Sequence, residues 1–309
     1  MTPPQDDAPP LTPPSDDTAS AHRSVLINRT LLGAGALACM LLFWAASRQF
    51  GIPATPGYAA SLLQQPNPGV AIVITLLTFV ASVFVGTTFA ARVHRDAGLF
   101  CACIGLAVLS ARGGPMRYVL FDGGGKSVYL MLAGEVVVLG AMLAAAWIAI
   151  DRFVARRDED DEPNPTEQSY FTTVVQVLLM IALMSLLAQS DSKAQAMCAV
   201  AASALVATLV ANWFAPVNAS PWLWAGPVVV GLIGYVSCYF RPGAIEVGRT
   251  GGYFAALARP LPLDYASLGV AASMLGYWMS RGWHERAHAT PADGAATPTA
   301  VAGAARRPG

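Results

Sequence analysis

Charge is what this sequence has least of. Only 12% of its 309 residues are Asp, Glu, Lys or Arg, about half the roughly 25% of an ordinary soluble domain. Neither sign predominates: 19 basic and 19 acidic residues give a formal net charge of zero, which excludes a basic nucleic-acid binder. The five cysteines (Cys39, Cys101, Cys103, Cys198, Cys238) lie in or beside apolar runs. A disulfide scaffold would place them in outer loops, so they are expected to serve as small packing residues. Period-two alternation is missing, and with it the pattern of a transmembrane barrel. Paired aspartates and a serine–histidine arrangement are also missing from the apolar runs.

What fills the chain instead is hydrocarbon: 55% of residues are apolar and the mean hydropathy is +0.49. A bilayer core of about 30 Å asks for roughly 20 apolar residues per helix. Eight segments meet or approach that length, at about 27–46, 69–91, 97–111, 127–150, 170–189, 193–215, 222–240 and 264–281. The expected fold is therefore all-α, a polytopic membrane protein of about eight transmembrane helices with the lipid bilayer as its first partner. The seven tryptophans (Trp44, Trp147, Trp213, Trp222, Trp224, Trp278, Trp283) fall near span ends, as interfacial belts place them.

The polar remainder sets the domain plan. Residues 1–24 read as a disordered tail rich in proline and aspartate, without the basic start and cleavage site of a secretory signal. Membrane halves of four helices each are expected at 25–150 and 169–284. A charged, proline-ended linker at 151–168 joins them, and a second loose tail covers 285–309. Arg92, Arg95, Arg152, Arg156 and Arg157 cluster on the side of the N-terminus, so the positive-inside rule puts both termini in the cytoplasm of a cell with the protein in its plasma or inner membrane. The sequons at Asn28 and Asn218 then fall on the cytoplasmic side and carry no meaning.

An offset of 124 residues lays 69–91 on 193–215 and pairs Arg117 with Arg241, Asp122 with Glu246, Gly124 with Gly248 and Tyr129 with Tyr253. Two halves with an even number of spans would be parallel repeats, as in some transporters. Their loops, each Arg-x4-acid-x-Gly-x4-Tyr, would then face one another on one side of the membrane. Clustered arginine with mobile glycine backbone suits an anionic small molecule or a lipid headgroup.

Chemistry is expected at two places. Glu135 is the one acid read inside a span, eight residues from its start, hence roughly 12 Å deep at 1.5 Å per residue. An intramembrane acid is a functional candidate by default. With Arg117, Asp122, Arg241 and Glu246 it makes up the expected substrate-binding set of a transporter-like protein. Nearby Gly134, Ala141 and Ala145 suggest a face for close helix packing. The second place is His284-Glu-Arg-Ala-His288, in which both imidazoles share a helix face and can hold zinc while the glutamate activates water. Arg286 departs from the uncharged residues usual inside that motif, and a third ligand would have to come from His94 or Asp293. A membrane-bound zinc metallopeptidase using His284 and His288 is thus the enzymatic alternative. A non-catalytic scaffold or assembly subunit is the third. Gly123-Gly-Gly-Lys126-Ser127 lacks the first glycine of a phosphate loop, since Leu120 stands there, and is rejected as one.

Overall fold

A computed structural model describes residues 16–50, 61–90, 93–94, 96–122, 126–154, 166–217, 221–241 and 256–288. Among these residues every regular element is helical. The order is α1 (Asp16–Ser47), a 3₁₀ turn (Leu62–Gln64), α2 (Pro68–Ala90), α3 (Ala97–Arg112), α4 (Met116–Asp122), α5 (Ser127–Val154), α6 (Thr166–Leu187), α7 (Lys193–Phe214) and α8 (Pro221–Phe240). A second 3₁₀ turn (Ala256–Ala258) leads into a helical turn (Pro262–Asp264), a π-helical turn (Tyr265–Gly269) and α9 (Val270–His288).

Six of these helices are long and apolar enough to cross a membrane: Leu26–Ser47, Pro68–Phe89, Ser127–Arg152, Glu167–Leu187, Lys193–Phe214 and Pro221–Phe240. Their outward faces are largely hydrocarbon. Leu41, Leu77, Phe84, Phe171, Leu178, Leu186 and Phe240 are all exposed, a surface that water does not tolerate on a monomer but lipid does. The remaining two expected spans differ in kind. The apolar helix α3 has 16 residues, ten of them buried. It is short because it sits in the middle of the molecule, clasped by α1 and α2, and need not present a lipid-length face. Helix α9 carries Arg281, His284 and Arg286, so its end is too polar for hydrocarbon.

Small residues set the crossings. A Cβ on Gly105 would lie 2.8 Å from the Cys39 carbonyl of α1, and one on Gly86 2.8 Å from the Gly98 carbonyl of α3. Helix α8 offers three such seats: Gly226 receives Gln176, Gly231 the ring of Tyr265, and Gly234 the backbone of Leu257. Gln176 then ties four helices together, its amide donating to Thr208 Oγ1 (2.6 Å), the Leu223 carbonyl (2.6 Å) and Ser273 Oγ (3.3 Å). Such polar contacts are how helices without a hydrophobic drive between them gain specificity.

Several boundaries differ from expectation. Helix α1 begins at Asp16, inside the stretch read as a loose tail to residue 24. The closely spaced prolines end at Pro14, and no proline follows within α1. Helix α5 runs to Val154, inside the expected linker, and α9 runs to His288, inside the expected second tail. The face expected from Gly134, Ala141 and Ala145 is exposed, and a Cβ on Gly134 would meet nothing within 4 Å. The close approach on α5 is at Gly140 instead, 2.9 Å from Val228. Trp224 is buried. All five cysteines are free and four are buried, with Cys198 exposed on the outside of α7.

Candidate functional site

Three of the buried charged groups, Glu135, Asp264 and Arg259, gather at one end of the bundle, where α3 finishes and α2, α5, α7 and the Pro262–His288 stretch begin. Glu135 is 3% exposed there. Ser61 caps the first 3₁₀ turn by accepting from the Leu63 N–H at 3.2 Å. The same hydroxyl donates to Glu135 Oε2, and the Leu62 N–H reaches Oε1 at 3.3 Å. A local turn thus supplies two donors to a carboxylate 73 residues away, and Gln64 pins the turn to α4 through the Val119 carbonyl at 3.3 Å. Among the described residues no cation pairs with Glu135 directly; Lys193 is the one within electrostatic reach.

Glu135 is the one acid read inside a span, yet a second carboxylate is buried at this end of the bundle. Asp264 is fully buried, and Lys193 Nζ meets both its oxygens, at 2.7 and 2.8 Å. Ser110 at the end of α3 donates to the same carboxylate and lies 3.4 Å from the ammonium. Asp264 Oδ2 also accepts the Leu261 N–H at 2.7 Å, an acid at the third helical position bonding back to the N-cap while Pro262 occupies the first. A charge out of water is tolerated only when paired and hydrogen-bonded like this.

The neighbouring segment is fastened by backbone acceptors. Tyr235 donates to the Pro260 carbonyl at 2.5 Å and Tyr265 to the Leu257 carbonyl at 2.8 Å. Arg259, 7% exposed, donates to the Ala188 carbonyl just past the end of α6 and stands 3.6 Å from Asp191. A guanidinium there meets the negative end of the helix dipole. Residues 256–264 therefore act as a plug, wedged among α3, α5, α6 and α8. The π turn that follows it is an uncommon element often found at functional sites.

The other expected site residues are scattered or lie elsewhere. Arg117 is exposed on α4, its guanidinium 5.2 Å from the Tyr118 ring. Arg241 is exposed just beyond α8. The side chain of Asp122 and all of Glu246 fall outside the described residues. At the opposite end of the bundle His284 stacks on Trp213, ring centroids 5.1 Å apart, while the His288 side chain and Asp293 are outside the described residues. His94 accepts the Asp96 N–H at 3.2 Å and rests against Trp278. Among the described residues no three His, Cys, Asp or Glu side chains converge as a metal would require.

Beside Glu135 is a cavity of about 210 Å³, lined by Leu62, Leu63, Ile72, Thr75, Leu76, Glu135, Val138, Leu139 and Met142. It forms because α2 and α5 run side by side without closing on each other, whereas α9 packs along α7. No family model, curated protein or solved structure matches this chain.

Proposed function

We propose that this chain is a transporter-like integral membrane protein of eight membrane helices in two four-helix halves, with Glu135 as the group that meets its solute. The supporting observation is the placement of Glu135: buried, roughly 12 Å along α5, at the wall of a cavity, and, among the described residues, without a cation in direct contact. A carboxylate so placed has lone pairs left after Ser61 and Leu62 have donated. It selects solutes that bring hydrogen-bond donors. The Lys193–Asp264–Ser110 cluster holds the same end of the bundle in shape. In this reading both termini are cytoplasmic, the Glu135 end faces outward, and the exposed Arg117 and Arg241 contact headgroup phosphates, with Asp122 and Glu246 in the same loops.

Electrometry on proteoliposomes adsorbed to a supported membrane tests the reading, with concentration jumps of ethanolammonium, acetate and phosphate as probes. The expected result is a transient current from ethanolammonium that empty liposomes lack and that Glu135→Gln largely removes, while Arg117→Ala leaves it in place. Currents identical in wild type, Glu135→Gln and empty liposomes would sink it.

A further inference from the structure

Glu135 is enclosed, and its walls are not equally firm. Toward the gap between α2 and α5 it lies behind an apolar lining that includes Leu62, Leu76, Val138 and Leu139. Such a surface suits lipid chains and gives a hydrated solute no route. Toward α8 and the plug the packing is fastened repeatedly. Tyr235 donates to the Pro260 carbonyl, Tyr265 to the Leu257 carbonyl, and Lys193 Nζ holds both oxygens of Asp264. Tyr235, Leu261 and Asp264 are all 1% exposed or less.

The remaining wall is the short 3₁₀ turn. Its own backbone bonds are local, the Gln64 N–H to the Ser61 carbonyl at 3.2 Å and the Gln65 N–H to the Leu62 carbonyl at 3.4 Å. Among the described residues three hydrogen bonds tie it to the rest of the molecule, and two of them end on Glu135 itself. The third, from Gln64 Nε2 to the Val119 carbonyl, is 3.3 Å long, longer than most N–H···O bonds. Leu62 is the one buried side chain of the turn proper. Pro66 and Asn67 follow directly and are exposed, so the surface of the bundle is two residues away. An element with so few ties is where local opening starts. Here the ties also make opening depend on the acid. A solute that brings donors to Glu135 competes for the acceptor positions that Ser61 and Leu62 use, and so unfastens the turn that covers it.

We infer that the turn at 61–65 is a lid over Glu135, and that a water-borne solute reaches the carboxylate by displacing it, from the end of the bundle where Pro66 and Asn67 are exposed. The gap between α2 and α5 is not the route. The inference rests on Glu135 as the solute-facing group.

Carbodiimide labelling of the full chain in lipid nanodiscs tests this, at fixed pH, with peptide mapping of the acylurea adducts. One reagent is the water-soluble ethyl(dimethylaminopropyl)carbodiimide; the other, dicyclohexylcarbodiimide, partitions into hydrocarbon. Gln64→Ala cuts the tie to α4 and leaves both donors on Glu135. It is expected to speed labelling of Glu135 by the water-soluble reagent about fivefold, the worth of one neutral hydrogen bond, with labelling of Asp264 as in wild type. Pro66→Gly, at an exposed position beyond the turn, frees the backbone and acts in the same direction. Ethanolammonium is expected to speed hydrogen exchange over 61–65 in wild type but not in Glu135→Gln. Labelling of Glu135 that neither variant changes, or that rises equally at Asp264, would mean that the turn does not guard the acid and overturns the inference. So would fast labelling by dicyclohexylcarbodiimide that ignores both variants, since access would then be from the bilayer. Ethanolammonium currents lost in Glu135→Gln, alongside labelling indifferent to the turn, would leave the transport reading standing without the lid. Labelling that follows the turn, with currents indifferent to Glu135, would do the reverse.

Discussion

At the scale of single residues, Glu135 and Asp264, two of the three carboxylates buried among the described residues, are satisfied differently. Asp264 has a lysine, a serine hydroxyl and a backbone N–H. Glu135 has a serine hydroxyl and a backbone N–H and keeps room for more. The first arrangement is closed and structural, the second open. Lys193→Met therefore strands a charge, and removing one partner of a buried pair costs about 3–5 kcal/mol. The loss is expected in thermal unfolding of purified protein in detergent. Adding Asp264→Leu to Lys193→Met should recover most of it, since replacing both partners by apolar groups is often neutral. A double variant no more stable than the single one would show that Asp264 was not held by the lysine. Glu135 was legible in the sequence because apolar residues surround it on both sides. Lys193 and Asp264 were not, because each is the first residue of its apolar segment and so read as a loop charge. Nothing local to either shows that a partner 71 residues away waits behind it.

At the scale of elements, length and hydrophobicity identified the helices but not their neighbours. The apolar segments reappear as helices, α1, α2, α3 and α5 through α9, though α1 starts well before its expected limit and α9 ends well after, because backbone groups in hydrocarbon leave the chain little else to do. Which glycine makes a crossing was beyond periodicity. Gly134 sits in a run that resembles a packing face yet points outward, whereas Gly234 carries the plug. A Cβ on Gly234 would lie 2.6 Å from the Leu257 carbonyl and 2.8 Å from its Cβ, and backbone cannot give way as a flexible side-chain end can. Gly234→Ala is expected to destabilise by about 1–3 kcal/mol through overpacking and to loosen the 256–264 segment. Gly134→Ala, with open space around it, should be neutral or gain up to about 1 kcal/mol from helix propensity. Hydrogen exchange over 256–264 checks the pair; equal protection in both variants would contradict the seating of the plug on α8. The 3₁₀ turn at Leu62–Gln64 was also invisible beforehand. It carries no span signal, and its importance comes from Ser61 reaching Glu135.

At the scale of the whole molecule, Glu135, Asp264 and Arg259 lie at one end of the bundle and the opening lies to the side. That asymmetry joins two facts, a carboxylate with spare acceptors and a gap between α2 and α5 whose rim is hydrocarbon. If the bundle sits in a bilayer, the gap is reached from lipid, and Glu135 lies behind its apolar lining. Accessibility of a nitroxide placed on Val138 tests this most directly, using Val138→Cys in a Cys198→Ser background reconstituted in nanodiscs. Collision with molecular oxygen, which concentrates in hydrocarbon, should dominate over collision with a water-soluble nickel chelate. Dominant nickel collision at Val138 would mean that water, not lipid, fills the mouth of the cleft, and would contradict the account.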